Sequence, residues 1–168
     1  KLPERVLSYA GIAITRMNAK FLANFFMKNQ QYPVPTSLKE IKNLLKVHNI
    51  IFCGALRYEE HNTSDGTAAE IARHFHTRFI NITNVKGLYT KDPKKYKNAT
   101  FIPRISASKF FSIIRKIKYS PGQHFVLDQH AAMVIKKGKV PTYIIGKDVK
   151  NLAVVLKKKK WVGTEIPA

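Results

Sequence analysis

Two short runs of β-prone residues, Arg78–Thr83 (RFINIT) and Thr142–Ile145 (TYII), are separated by segments whose apolar residues recur at helical spacing. That alternation is the strongest constraint on what this chain can fold into. Strands separated by helices are linked by connections long enough to cross over a sheet, so they pair in parallel and carry helices on both faces. The pattern predicts an α/β protein: a three-layer sandwich around a mostly parallel sheet. Ile50–Gly54 (IIFCG) reads as a further short buried strand and Gly163–Ile166 as a final one. Ligands of such sheets bind beyond the carboxyl ends of the strands, which directs attention to the loops after Gly54, Thr83 and Ile145.

Helices are expected over Ser8–Met27, from Ser37 to about His48, and over Asp65–Phe75, Ser106–Ile117 and His124–Lys137, with a last one from Asp148 to about Lys159. In the first, Ile12, Met17, Phe21, Leu22, Phe25 and Phe26 fall at helical spacing. Ser37 to Glu40 has capping-box spacing, Asp148 stands at a cap position, and Gly138 is a stop signal. Pro33, Pro35 and Pro121-Gly122 are breakers.

The chain has 168 residues, 45% of them hydrophobic, which suffices for a single domain over 1–168 with its own core. There is no internal repeat and no low-complexity linker. No apolar run approaches the roughly 20 residues that cross a bilayer, and the opening residues carry no secretory pattern. The single cysteine, Cys53, excludes an internal disulfide and sits in an apolar run as a core thiol would. These features predict a cytoplasmic protein without a membrane partner. The first residue is Lys1 rather than methionine, as in a processed or truncated polypeptide.

The net charge is +20. Such an excess suits nucleic acid, but the lysines are dispersed over many segments, as on a solvated basic surface. The densest run, Lys157–Lys160, closes an expected helix, where cations interact favourably with the dipole. A small phosphorylated substrate would also gain from the field.

Three segments could carry chemistry. After Thr83 comes Asn84-Val85-Lys86-Gly87-Leu88-Tyr89-Thr90-Lys91-Asp92-Pro93. It offers hydrogen-bonding groups at a strand end, a ring that could pack on a flat ligand, and an aspartate–proline turn; an ordinary structural loop has the same ingredients. Near the start of the third helix, Asn62, Thr63, Ser64 and Asp65 place hydroxyls and a carboxylate beside free backbone N–H groups, a ready anion site or simply a capped helix. Asp128 lies in an apolar helical start, with His124 one turn earlier, and is either a solvated acid or a site residue. The histidines form no recognised metal set.

In this order the segments resemble the UMP kinases of the amino acid kinase superfamily, particularly the archaeal type. Gly11–Ala19 (GIAITRMNA) is similar to the family's helix near the subunit interface, Asn62–Ala69 (NTSDGTAA) to its acceptor and phosphate segment, and Thr83–Pro93 (TNVKGLYTKDP) to its ATP loop. Asp128–Ala132 (DQHAA) and Val162-Gly163-Thr164 match a further helix start and the C-terminal ending. The resemblance implies that Thr83, Asn84, Tyr89 and Asp92 contact ATP, and that Asn62, Thr63 and Ser64 hold UMP. It implies that Asp65 and Asp128 flank the transferring phosphoryl group, and that the reaction gives ADP and UDP with the help of Mg2+ and no dedicated protein metal site. It also implies a homohexamer with the helix around Arg16 in the contact.

Two departures accompany it. Ser8 stands where the family usually has an aspartate for the acceptor nucleotide, and Ala55–Asn62 differs from the common loop. The family's opening strand, catalytic lysine and two glycine-rich phosphate turns have no counterpart, so the expectation is an amino acid kinase-like fold lacking its first strand or strands, and a chain that transfers phosphate poorly by itself. The alternatives are another superfamily member acting on a carboxylate or on isopentenyl phosphate, a basic nucleic-acid-binding protein, and a noncatalytic subunit.

Overall fold

The computed structural model describes residues 3–27, 32–58, 62–116, 126–157 and 159–168. The chain divides into two compact units, Lys1–Thr67 and Ala68–Ala168. No helix among the described residues is long and apolar enough to cross a membrane.

The first unit holds α1 (Glu4–Met27) and α2 (Leu38–Leu44), and the start of α3 (Ser64–His74). The capping box at α2 forms: Glu40 N donates to Ser37 Oγ at 3.2 Å, and the Glu40 carboxylate accepts from Thr36 N at 2.8 Å. That backbone N–H holds the Glu40 carboxyl below its ordinary pKa. The regular helix ends at Leu44 and continues only as turns, short of the expected His48.

In α1 the face turned inward is small and polar. Ala19 and Ala23 are buried, flanked by half-buried Thr15, Arg16 and Lys20. Met17, Phe21, Leu22, Phe25 and Phe26, the residues at helical spacing, are exposed, Phe25 by 70%. The small face admits Ile50–Gly54, which is no strand, contrary to expectation. Its neighbour is a helix, which has no ladder to offer, so side chains satisfy its backbone. Phe52 N donates to Tyr32 Oη at 3.0 Å and Ala55 N to Thr15 Oγ1 at 3.0 Å. Arg16 donates to Ala55 O at 3.0 Å and also to Leu56 O. At Gly54 a Cβ would stand 2.6 Å from the Arg16 nitrogen, so only glycine allows this approach.

The second unit is built on β1 (Phe79–Thr83), β2 (Thr142–Gly146) and β3 (Thr164–Ile166), in the order β1-β2-β3. β1 and β2 are parallel, with Phe79 opposite Thr142 and Thr83 opposite Gly146; β3 runs antiparallel to β2. The sheet is therefore mixed. On one face, Phe79, Ile144 and Ile166 join a core with Ala69 and Ala72 of α3, Phe110 and Ile114 of α4 (Ala107–Ile114), and Ala131 and Ile135 of α5 (Gln129–Gly138). Ile145 points the other way by strand alternation and is also fully buried, on the side where α6 (Val149–Leu156) meets β2. Helices thus cover both faces of the central strand, the layering expected of an α/β protein.

Capping sets the helix starts. Asp148 Oδ1 accepts from Lys150 N, as its position suggested, and Ser106 Oγ accepts from Lys109 N. α5 begins at Gln129 rather than His124, because Asp128 takes the N-cap position, its Oδ1 accepting from Ala131 N at 2.6 Å. His124 lies outside the described residues. Gly138 is the last helical residue of α5, and the left-handed stop position falls on Lys139, φ 48°. The last helix ends at Leu156, short of Lys159.

Candidate functional site

The parallel pair β1–β2 aims both carboxyl ends, Thr83 and Gly146, in one direction. Beyond them lies an open cavity of about 710 Å³. Thr83, Asn84, Tyr89 and Asp92, the four residues expected to contact ATP, all line it. The loop after β2 contributes Lys147, and Ile82, Val85, Pro93 and Val126 supply apolar wall. Asn81 ties Val126 to β1, its Nδ2 donating to Val126 O at 2.5 Å.

The loop from Asn84 to Pro93 owes its shape to hydrogen bonds that its own sequence does not announce. Leu88, fully buried, donates its N–H to Thr164 Oγ1 at 2.8 Å, and that hydroxyl donates onward to Ile102 O at 2.5 Å. Ile102 N returns to Leu88 O and Thr90 N donates to Thr100 O, each at 2.9 Å. Tyr89 forms a bridge opposite Phe101, with the two ring centres 5.4 Å apart. At Gly87 a Cβ would lie 2.7 Å from the Thr164 hydroxyl, so the glycine serves close approach. Asp92 starts the next turn: its Oδ1 accepts from Lys94 N, and its carbonyl accepts from Lys95 N and Tyr96 N. The turn presents Lys94 and Lys95 to the cavity, and Lys91 lines it from just before the turn.

The remaining expected site residues fall in other places. Asn62, Thr63, Ser64 and Asp65 sit together at the start of α3 in the first unit, where Thr63 Oγ1 accepts from Asp65 N at 3.1 Å. Asp65 is half-buried, and Ser64 is exposed. Asp128 is in the second unit, two residues beyond Val126, but does not line the cavity. Near it His130 Nε2 meets Glu70 Oε1 at 2.8 Å, joining α5 to α3. Among the described residues no group of three or more His, Cys, Asp or Glu could hold a metal ion.

A loop at the carboxyl end of a parallel pair, rich in hydrogen-bonding groups and cations, suits an anionic ligand with a flat ring. The amino acid kinase family model matches residues 3–146. The chain belongs to the amino acid kinase family. Within this family, a uridylate kinase of Archaeoglobus fulgidus is 33% identical over 97% of this chain and 73% of its own length. One of Methanobrevibacter smithii is 32% identical over 93% and 69%. The crystal structure of uridylate kinase from Archaeoglobus fulgidus superposes with a TM-score of 0.84 at 32% identity, covering 98% of this chain and 73% of that one. The fold of this amino acid kinase chain is thus the one those kinases share.

The residues missed from sequence are Thr164, which anchors the ATP-loop candidate, and the lysines around the cavity. Val162-Gly163-Thr164 stood out as a family ending, but its hydrogen bond spans 76 residues and no local pattern announces it.

Proposed function

We propose that this chain acts as a uridylate kinase, moving the γ-phosphate of ATP to UMP to give ADP and UDP for pyrimidine nucleotide supply. The observation that carries the reading is the cavity beyond β1 and β2, where all four residues assigned to ATP by resemblance converge. Thr83 and Asn84 offer hydrogen bonds at the strand end, Tyr89 a ring for the base, and Asp92 a carboxylate beside cations. By the same resemblance, Asn62, Thr63 and Ser64 would hold UMP, and Asp65 and Asp128 would be the carboxylates that serve the phosphoryl group. Phosphoryl transfer rests on positioning and charge neutralisation rather than on a covalent intermediate, so hydrogen-bonding loops suffice on the protein side.

Magnesium fits this arrangement as a companion of the nucleotide. Mg2+ is commonly held by one or two carboxylates plus substrate phosphates, and Asp92 is the carboxylate in the cavity. When bound, it neutralises charge on the phosphates.

The matched span, 3–146, runs through both compact units, which supports one kinase domain over 1–168. The exposed stripe of α1 (Leu7, Ile14, Met17, Phe21 and Phe25) supports a homo-oligomer, a homohexamer by resemblance, since such a stripe is costly to leave in water. Cytoplasm is the compartment that supplies its substrates.

The test is Mg2+-dependent ADP release with UMP, CMP, aspartate and isopentenyl phosphate as parallel acceptors. Calorimetric titration with ATP and UMP accompanies it, since the chain spans 73% of its Archaeoglobus relative. Preference for UMP supports the reading; UMP neither bound nor phosphorylated, while another acceptor is, overturns it. Asp128→Asn separates cap from chemistry. Asparagine caps as well as aspartate, so unchanged stability with lost transfer is expected, and unchanged transfer removes Asp128 from the reaction.

A further inference from the structure

The charge lining the cavity is one-sided. Lys94 and Lys95 project from the turn after Asp92, Lys91 stands just before it, and Lys147 comes from the separate loop after β2. The ammonium of Lys91 lies over the Tyr96 ring at 5.6 Å. Lys94, Lys95 and Lys147 make no ion pair among the described residues. Asp92 is the one carboxylate in the lining, and its Oδ1 already accepts a backbone N–H. Like charges gathered around one concave surface repel one another, and an anion placed among them relieves that repulsion. The apolar wall of Ile82, Val85 and Val126 lies on the strand side of the same cavity.

We propose that Lys94 and Lys95 on one loop and Lys147 on the other form a clamp for the phosphate chain of the nucleotide, so that affinity here rises with phosphate number. The proposal rests on the ATP-site reading above and adds which residues grip the phosphates. Its chemistry is that of a point-charge clamp: ammonium groups on long stems follow a mobile polyanion without fixing one geometry. The binding is accordingly strongest for the triphosphate, weaker for the diphosphate and weakest for the nucleoside.

The experiment titrates ATP, ADP and adenosine into the full chain by calorimetry at two salt concentrations, for the parent, Lys147→Gln, and the triple variant Lys94→Gln/Lys95→Gln/Lys147→Gln. All three lysines are exposed, so removal leaves the fold intact, which circular dichroism checks. Each exposed lysine is expected to weaken ATP binding about two- to fivefold, and the triple variant about tenfold or more, while adenosine binding is unchanged. Lys147→Arg restores most of the ATP affinity. Raising the salt lowers parent ATP affinity more than that of the triple variant. ATP binding that survives the triple substitution, or equal losses for ATP and adenosine, overturns the clamp while leaving the site reading intact. A parent chain that binds neither ATP nor adenosine overturns both.

Discussion

Two apolar runs of similar length meet opposite ends. Phe79–Thr83 becomes a strand, whereas Ile50–Gly54 does not, although the second is just as apolar. The difference is the neighbour. Phe79–Thr83 lies in register with β2 and exchanges backbone hydrogen bonds along its length. Ile50–Gly54 lies against the small face of α1 and takes its partners from Tyr32, while Thr15 and Arg16 hold the residues that follow. β-propensity describes fit to a pleated, half-buried surface, and without a pairing edge it produces no strand.

The widest gap is expected between buried and exposed isoleucines of the two regions. Ile144→Ala, at a fully buried position of β2, should cost about 2–5 kcal/mol in urea unfolding. Ile50→Ala, 62% exposed, should stay within about 0.5 kcal/mol. Similar losses at both would mean that Ile50–Gly54 is held as a strand is. Gly54→Ala comes next: its Cβ meets the backbone of Thr15 and Arg16, an overpacking worth about 1–3 kcal/mol. Gly11→Ala, in the same α1 with nothing within 4 Å, should instead stabilise by about 0.5–1 kcal/mol. If both glycines tolerated alanine equally, the close approach of the segment to α1 would be refuted.

Tyr32→Phe tests the side-chain partners. The side chain is 1% exposed and accepts the Phe52 N–H, so its loss should cost about 1–3 kcal/mol with the ring packing kept. The smallest effect is the response to alkali. Burial raises the Tyr32 hydroxyl and the Cys53 thiol above their ordinary pKa values. Both therefore ionise more readily unfolded than folded. Their stabilisation is complete below the unfolded values, about 8.5 for Cys and about 10 for Tyr, and is lost as pH rises through the higher folded ones. The urea midpoint should fall between pH 8 and 11, and more gently in Cys53→Ala and Tyr32→Phe. A parent midpoint that does not move over that range would contradict the burial of both groups.

Sequence alone made β1, β2, β3 and the caps at Ser37 and Asp148 legible, because caps and short β runs are local signals. It left the inward face of α1 open, because helical spacing says which residues share a face but not which face turns inward; the small residues Ala19 and Ala23 do. It began α5 too early because the apolar residues before Asp128 extend the helical pattern, yet Leu127 is buried from outside the helix. In the cavity, Thr83–Pro93 was recognisable as a run, whereas Lys147 and Thr164 join it only through the order of strands in the sheet.

The hydroxyl of Thr164 has a consequence for biogenesis. It holds the backbone of Leu88, which leaves the ribosome 76 residues earlier. At about 5–20 residues per second, the nascent loop waits roughly 4 to 15 seconds for its anchor. During synthesis the loop around Tyr89 therefore exists without the bond that fixes its backbone, and the cavity beyond β1 takes its final shape only once this late-made threonine has emerged.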